Sequence, residues 1–300
     1  MRVSIVITTK NRCDELRAAV SSALRQSVQS EVLVVDDGST DGTAEMVRTE
    51  FPAVRLERSA QSLGLIVQRN RAARLASGAI LFSLDDDAEF STQHVVEEAL
   101  KDFDDPRVGA VAIPYIEPRK GSQLRQVAPE PCGTWITDAF VGTAHAVRRD
   151  VFLKLGGYRD HLVHQGEESD YCIRMLDAGY VVRLGRSDPI KHWESPKRDV
   201  RRMDFYGVRN AILFVWQNVP WSVLPVYLAV TTFNCLRWSF EPKRLWVRLK
   251  GVLVGYRDSA KYRRAPVSTS AYQLYRELRK QGSKRLEDIE ERLPGWTREP

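Results

Sequence analysis

Asp85-Asp86-Asp87 is the first place where this sequence offers chemistry. Three adjacent carboxylates repel one another, and clustering them costs free energy unless a cation or solvent relieves it. An oxygen-rich group of this kind suits Mg²⁺ or Mn²⁺, and Mg²⁺ is commonly held by one or two carboxylates together with substrate phosphates. Neither a GxGxxG after the first strand nor a GxxxxGK[ST] anywhere supplies a glycine cradle. A diphosphate is therefore expected to be gripped through the metal. Asp36-Asp37-Gly38 is a second acidic group, which also reads as an ordinary turn leading into a helix. The four cysteines, Cys13, Cys132, Cys172 and Cys235, form no CxxC pair, so neither a zinc site nor a redox motif is expected.

The elements around the triplet decide what it can reach. Residues 3–8 are a β-branched run and read as a buried strand, as do 31–35, 54–58 and 79–84. Between them, apolar residues at helical spacing predict helices over 14–26, over 43–50 with Thr40 or Asp41 as cap, and after Gly64, closed by Gly78. Alternating strands and helices imply an α/β fold with a mostly parallel sheet covered on both faces. Ligands of such sheets bind at the carboxyl ends of the strands. Thr8-Thr9, Asp36-Asp37 and Asp85–Asp87 all fall there. Farther on, 114–135 holds Pro114, Pro118, Pro129 and Pro131 and reads as an irregular loop. A helix is expected over 167–178 before Gly179, and a strand over 181–184.

The chain has 300 residues, 43% hydrophobic and 28% charged, a globular balance long enough to bury a core without disulfides. The N-terminus enters a strand directly, so a cytoplasmic location is expected. Charge is uneven: residues 1–190 carry a net −5, whereas 191–264 carry +10. The basic excess points to a local anionic partner.

Taken in order, VSIVITTKNR (3–12), VLVVDDGSTDGT (32–43), the RN-to-SG stretch (69–78), LDDD (84–87), GTAHAVRRDVFLKLGGY (142–158) and GEESDYCIRMLDAGY (166–180) resemble family 2 glycosyltransferases of the kind that build bacterial cell-surface glycans. The resemblance covers roughly residues 1–195. It implies a GT-A fold, a Rossmann-like sheet flanked by helices, and inverting transfer of a sugar from a nucleotide-diphosphate donor. Thr8 and Asp37 match positions that contact the nucleotide base, with Thr9 and Asp36 beside them, and Arg69 lies in the helix that flanks the base. Asp86 matches the carboxylate near the ribose and Asp87 the metal ligand, with Asp85 assisting either. The acceptor-side motif is usually Glu-Asp-x-Asp; here Glu168 stands at the second acid and matches the general base, which leaves Glu167 and Asp170 as alternatives. Asp170 near a helix N-terminus is equally explained as structural. His192, in KHWESP, matches a histidine that joins the metal site in some members. His164 and Trp193 would border the acceptor. The implied cofactor is Mg²⁺ or Mn²⁺. UDP is the default donor nucleotide, with dTDP and GDP open, and the acceptor is a glycan, lipid-linked or small-molecule hydroxyl.

A catalytic domain is thus expected over 1–205 and a helical C-terminal region over 206–300. Residues 210–236 carry no charge, long enough for a bilayer, yet Gln217, Asn218, Pro220, Ser222, Pro225 and Asn234 interrupt them. Trp216, Trp221, Tyr227 and Trp238, followed by a basic run, suit a lipid interface. The expectation is peripheral contact with an inner-leaflet membrane surface, against a buried helical subdomain or homo-oligomer contact. The tail over 270–293 reads as an amphipathic helix. A nucleic-acid partner is not expected, because the aromatics are interleaved with apolar residues rather than arginines. Two alternatives compete: a retaining transferase or nucleotidyltransferase of similar fold, the latter disfavoured by TTKNRCDE where a Gly-rich basic loop belongs, and a non-catalytic membrane-associated scaffold.

Overall fold

The computed structural model describes residues 1–194, 199–237 and 241–294. Trp238, and Ser195 and Pro196 of the KHWESP stretch, lie outside the described residues. β1 (Val3–Thr9) is buried along its whole length, as a Val/Ile/Thr run covered on both faces must be. α1 (Cys13–Leu24), β2 (Glu31–Asp36), α2 (Thr43–Glu50), β3 (Arg55–Arg58), α3 (Leu65–Leu75) and β4 (Ile80–Asp85) follow in the predicted alternation. β1 lies between β2 and β4, parallel to both, and β2 is parallel to β3. Alternate β1 side chains face opposite layers. Ile5 and Ile7 pack in the layer with Leu16 and Val20 of α1, and Val6 in the layer with Ile66 and Ala72 of α3.

The middle of the chain extends this sheet. β5 (Ala88–Phe90), α4 (Val95–Lys101), β6 (Val108–Ala112), β7 (Tyr115–Ile116), β8 (Trp135–Thr137), β9 (His145–Arg148), α5 (Arg149–Lys154), α6 (Glu167–Asp177), β10 (Val181–Leu184) and β11 (Ile190–His192) come next. The C-terminal part supplies α7 (Val200–Asn218), α8 (Leu224–Arg237), α9 (Pro242–Ser259), α10 (Thr269–Gln281) and β12 (Lys284–Arg285). Among the described residues the main sheet runs β12-β8-β10-β6-β9-β4-β1-β2-β3, and a small sheet runs β5-β11-β7. β9 is antiparallel to both β4 and β6, which joins the two parallel halves.

Three expectations are corrected. Gly78 does not cap α3, which ends at Leu75 with Ala76 already extended. Gly78 is instead pressed against β1, where a Cβ would lie 2.4 Å from the Ser4 amide nitrogen. The tail is not one helix to residue 293. α10 ends before Gly282 at φ +88°, and Leu286, Ile289 and Leu293 are buried by a segment that adds β12 to the sheet edge. The stretch 114–135 is irregular for most of its length but contributes β7, which pairs with β11.

The uncharged run divides at Pro220 into the end of α7 and most of α8. No helix among the described residues is long and apolar enough to cross a membrane. Two of its polar interruptions, Gln217 and Asn218, are structural ties. Gln217 Oε1 meets His161 Nε2 at 3.1 Å, and Asn218 Nδ2 donates to Asp170 at 2.8 Å. α9 lies close along α7 because Gly251 and Gly255 present no side chain there. A Cβ at Gly251 would sit 2.7 Å from the Phe205 carbonyl, and one at Gly255 2.9 Å from Ile212 Cβ. Residue 205 falls within α7, so one helix crosses the expected domain boundary.

Candidate active site

A cleft of about 530 Å³ opens at the carboxyl ends of β1, β2 and β4. Strand register puts the acidic groups there: Thr8 lies opposite Asp85 and Thr9 opposite Asp36. Thr8, Thr9, Asp37, the triplet Asp85–Asp87, His164 and His192 all line the cleft.

At one end Asp37 accepts hydrogen bonds from Ser62 Oγ (2.6 Å), the Leu63 and Gly64 amides (2.6 and 3.0 Å) and Gln68 Nε2 (2.6 Å). Burial opposes its ionisation, but these donors outweigh burial and hold its pKa below the usual carboxylate value. Asp37 thereby fixes the loop before α3 as an anionic wall. Asp36 is fully buried and serves the turn: it accepts from the Ser39 amide and pairs with Arg58 at 3.3 Å.

At the other end, Asp85, Asp87 and His192 bring three ligand atoms within 4.8 Å of one another. His192 arrives there because β11 pairs with β5 in a register that sets His192 opposite Ala88, next to Asp87. Its Nε2 is 3.4 Å from Asp87 and its Nδ1 3.7 Å from Glu117. Two carboxylates and an imidazole backed by a further carboxylate form a donor set suited to Mn²⁺ or Mg²⁺. These residues fit the divalent cation that the family pattern implies. Burial would lower the His192 pKa, but Asp87, Asp85 and Glu117 outweigh it and raise it. Burial would also raise the Asp87 pKa, and the hydrogen bond with His192 and the charge of Arg12 bring it far below the normal range. Asp86 behaves oppositely: burial, reinforced by Asp87, pushes it up to about 7 despite Arg12. Arg12 Nη1 spans the pair, 2.6 Å from Asp87 and 3.3 Å from Asp86.

Arg69 does not line the cleft; it is buried behind it. Its guanidinium touches Asp85 at 2.7 Å, Glu167 at 3.2 Å and Glu168 at 3.7 Å. One cation thus links a metal-side carboxylate to the acidic helix start. Glu167 is buried, whereas Glu168 keeps 21% of its side chain exposed. Desolvation, then the neighbouring Glu167, push the Glu168 pKa up to about 8 against the pull of Arg69. Gly142 makes room for this contact, since a Cβ there would lie 2.5 Å from Glu168 Oε1. Asp170 is turned inward, 1% exposed, held by Arg159 (2.5 Å), Arg174 (3.1 Å) and Asn218 (2.8 Å). Trp193 donates its indole N–H to Glu89 (2.7 Å), and its amide bonds the Asp87 carbonyl (2.8 Å). It therefore braces the strand that carries His192.

Sequence reasoning missed Arg12 and Glu117. Arg12 was visible in the loop after β1, but only the fold shows that this loop turns over the triplet. Glu117 sits in the proline-rich stretch, which carries no periodic signal.

This α/β sheet with an acidic cleft at its carboxyl edge defines a GT-A glycosyltransferase. The chain belongs to glycosyl transferase family 2, whose model matches residues 4–156, about half of its length. Among curated relatives, it is 35% identical over 94 residues to the succinoglycan biosynthesis protein ExoU of Rhizobium meliloti, covering 29% of this chain and 27% of that protein. It is 26% identical over 199 residues to glycosyltransferase AglE of Haloferax volcanii, covering 60% and 63%. The chain thus spans less than two thirds of either relative. In solved structures, the mannosyltransferase PcManGT of Pyrobaculum calidifontis, in complex with GDP-Man and Mn²⁺, superposes with a TM-score of 0.60 at 22% identity, covering 94% of this chain and 80% of that one. S. aureus TarS 1–349, in complex with UDP, gives 0.61 at 16% identity, covering 94% and 92%. These likenesses carry the fold.

Proposed function

We propose that this glycosyltransferase moves a sugar from a nucleotide-diphosphate donor to an acceptor hydroxyl with inversion at the anomeric carbon. The observation that carries the reading is the division of one cleft. Asp37 stands at one end, Asp85, Asp87 and His192 at the other, and Arg69 ties Asp85 to Glu168. Thr8, Thr9 and Asp37 face the nucleotide base, with Asp36 holding their turn, and Asp86 faces the ribose. Asp85, Asp87 and His192 hold Mg²⁺ or Mn²⁺, and a cation bound there supplies charge neutralisation for a leaving diphosphate. Arg69 acts behind the donor as a positioning residue. Glu168 accepts the proton of the acceptor hydroxyl, a task that favours a carboxylate whose pKa lies near the operating pH. Orienting the acceptor oxygen in line with the anomeric carbon contributes much of the remaining acceleration. UDP is the first donor to test, before dTDP and GDP. Assembly of a glycan or lipid-linked saccharide at the cytoplasmic face of a membrane is the setting that the basic, aromatic C-terminal region supports. Residues 1–205 form the catalytic part and 206–300 the docking part.

A thermal-shift series of UDP, dTDP and GDP with and without Mn²⁺ reads donor and metal together. Mn²⁺-dependent stabilisation by one of the three is the expected result, and the product anomer by NMR then reads inversion. Asp87→Ala is expected to abolish the Mn²⁺ dependence and to lower transfer roughly 100-fold or more, the scale of losing one preorganised electrostatic contact. Transfer at the wild-type rate in Asp87→Ala would sink the metal assignment.

A further inference from the structure

Besides His192, the side chains that bring positive charge to the lining of the acidic cleft are Lys10, Arg12 and Arg202. Lys10 and Arg202 are exposed, and neither forms an ion pair among the described residues. Arg12 is built differently. The segment that carries it is clamped on both flanks to the turn after β2. The Asn11 amide donates to Ser39 Oγ (2.9 Å), the Thr40 amide to Asn11 Oδ1 (2.8 Å) and the Cys13 amide to Asp41 (3.3 Å). Asn11 holds φ of 52° there, a left-handed value that asparagine tolerates better than most residues. The Arg12 side chain is thus delivered from a fixed loop, and it keeps 32% of its surface exposed in the cleft.

A guanidinium is a planar fork with donors along more than one edge. In Arg12, Nη1 serves Asp87 Oδ2 at 2.6 Å and Asp86 at 3.3 Å. Nε and Nη2 donate to no group among the described residues. Asp87 is divided in a matching way: Oδ2 is taken by Arg12, while Oδ1 lies 3.4 Å from His192 Nε2. The triplet concentrates negative charge at this end of the cleft. A divalent cation offsets only part of it, and an arriving diphosphate adds to it. A cation already held in place meets that anion without reorganisation. Its free donors suit the paired oxygens of a diphosphate, which a guanidinium fork can grip bidentately.

We infer that Arg12 is a second cation of the donor site, one edge of its guanidinium on Asp86 and Asp87 and the other on the diphosphate of the nucleotide. The inference rests on the reading of the cleft as a nucleotide-diphosphate site, and it adds a grip on the diphosphate that does not pass through the metal. It also separates two roles that the contact with Asp87 could serve. A brace of Asp87 would be felt first in metal affinity, whereas a diphosphate ligand is felt in the anion.

Calorimetric titration of the full chain at fixed Mn²⁺, with UDP and with inorganic pyrophosphate, tests it beside the binding of Mn²⁺ alone, read by electron paramagnetic resonance. Arg12→Gln is expected to weaken UDP and pyrophosphate roughly 10–100-fold, the scale of a hydrogen bond to a charged group. Its affinity for Mn²⁺ alone is expected to stay within about threefold of wild type, a small change on the free-energy scale. Arg12→Lys keeps the charge without the fork and is expected to fall between the two. A parallel loss of Mn²⁺ affinity in Arg12→Gln would make Arg12 a brace of Asp87 and overturn the inference. Unchanged binding of UDP and pyrophosphate would overturn it as well, and so would a loss in Lys10→Gln in place of Arg12→Gln. Folding of each variant is read from its melting temperature, and Arg12→Lys carries the comparison if Arg12→Gln does not fold. The nucleotide reading fails separately. If wild type takes pyrophosphate but not UDP, dTDP or GDP, and Arg12→Gln loses pyrophosphate, the base assignment falls while Arg12 keeps its role. Absence of every one of these ligands from wild type would overturn both.

Discussion

Glu168 and Asp170 sit two residues apart on one helix, and their surroundings give them different work. Glu168 faces Gly142 and Arg69 with 21% of its side chain exposed, and its pKa is pushed up to about 8 by desolvation and then by Glu167. A base acts only when deprotonated, so a raised pKa means that activity falls as pH drops below it. The kcat/KM profile is therefore expected to fall on its acid limb and to rise toward a plateau above about pH 8, with Glu168 setting the upper ionisation of that limb. Glu168→Gln is expected to lose roughly 10²–10⁴-fold in kcat while keeping nucleotide binding. Asp170→Asn leaves Arg159 and Arg174 with a weakened partner in a buried place. Its expected effect is a lower melting temperature with the acid limb unmoved. If Asp170→Asn instead shifted that limb and Glu168→Gln did not, the two roles would be exchanged. The sequence placed both acids at the start of a helix, but it could not separate them. That separation depends on Asn218, 48 positions away, which bonds Asp170 and not Glu168.

At the scale of elements, legibility followed periodicity. β1, β2, β4 and α2 could be read to within a residue or two, because β-branched runs and 3.6-residue spacing are local signals. Thr8, Asp37 and the triplet could be placed at one sheet edge for the same reason. What stayed hidden depends on long-range pairing: β9 inserting antiparallel between β4 and β6, β12 closing the far edge, and Glu117 behind His192. The α7–α9 contact is another such case. Its cause, Gly251 and Gly255 four residues apart, looks like helix-weakening chance until the partner helix is known. Ala at Gly255 adds a Cβ 2.9 Å from Ile212 Cβ and 3.1 Å from the Arg209 carbonyl, all buried. The gain in helix propensity, about 1 kcal/mol, is expected to be outweighed by overpacking of ~1–3 kcal/mol. Gly255→Leu is expected to destabilise by more. Urea unfolding of the two variants measures this, and a Gly255→Ala protein more stable than wild type would show that α9 can move away from α7 at little cost.

For the whole molecule, the question is where its charge and its exposed apolar groups lie together. The chain is +6 overall, yet residues 1–190 are net −5 and the excess of cations is carried by residues 191–264, which include α7, α8 and α9. In the turn between α7 and α8, Trp221 (66% exposed) faces outward, as do Phe233 (64%) of α8 and Leu253 (60%) and Trp246 (58%) of α9. Lys250 lies over Trp246 at 5.4 Å. Large apolar side chains beside lysine and arginine resemble an interfacial surface more than a spanning one, since no described helix can cross a bilayer. The two contributions separate by experiment. Each basic residue near an anionic surface adds about 1 kcal/mol, and salt screens it, whereas burial of Trp246 and Phe233 in the headgroup region does not depend on salt. The full chain is expected to float with vesicles containing anionic lipid and to lose most of that binding at high salt. The double variant Trp246→Ser, Phe233→Ser is expected to bind weakly at any salt concentration while its UDP-dependent thermal shift stays as in wild type. Equal flotation with neutral and anionic vesicles would remove the electrostatic half of the argument. A concentration-dependent dimer in light scattering, abolished by the same two substitutions, would instead assign this face to a second copy of the chain.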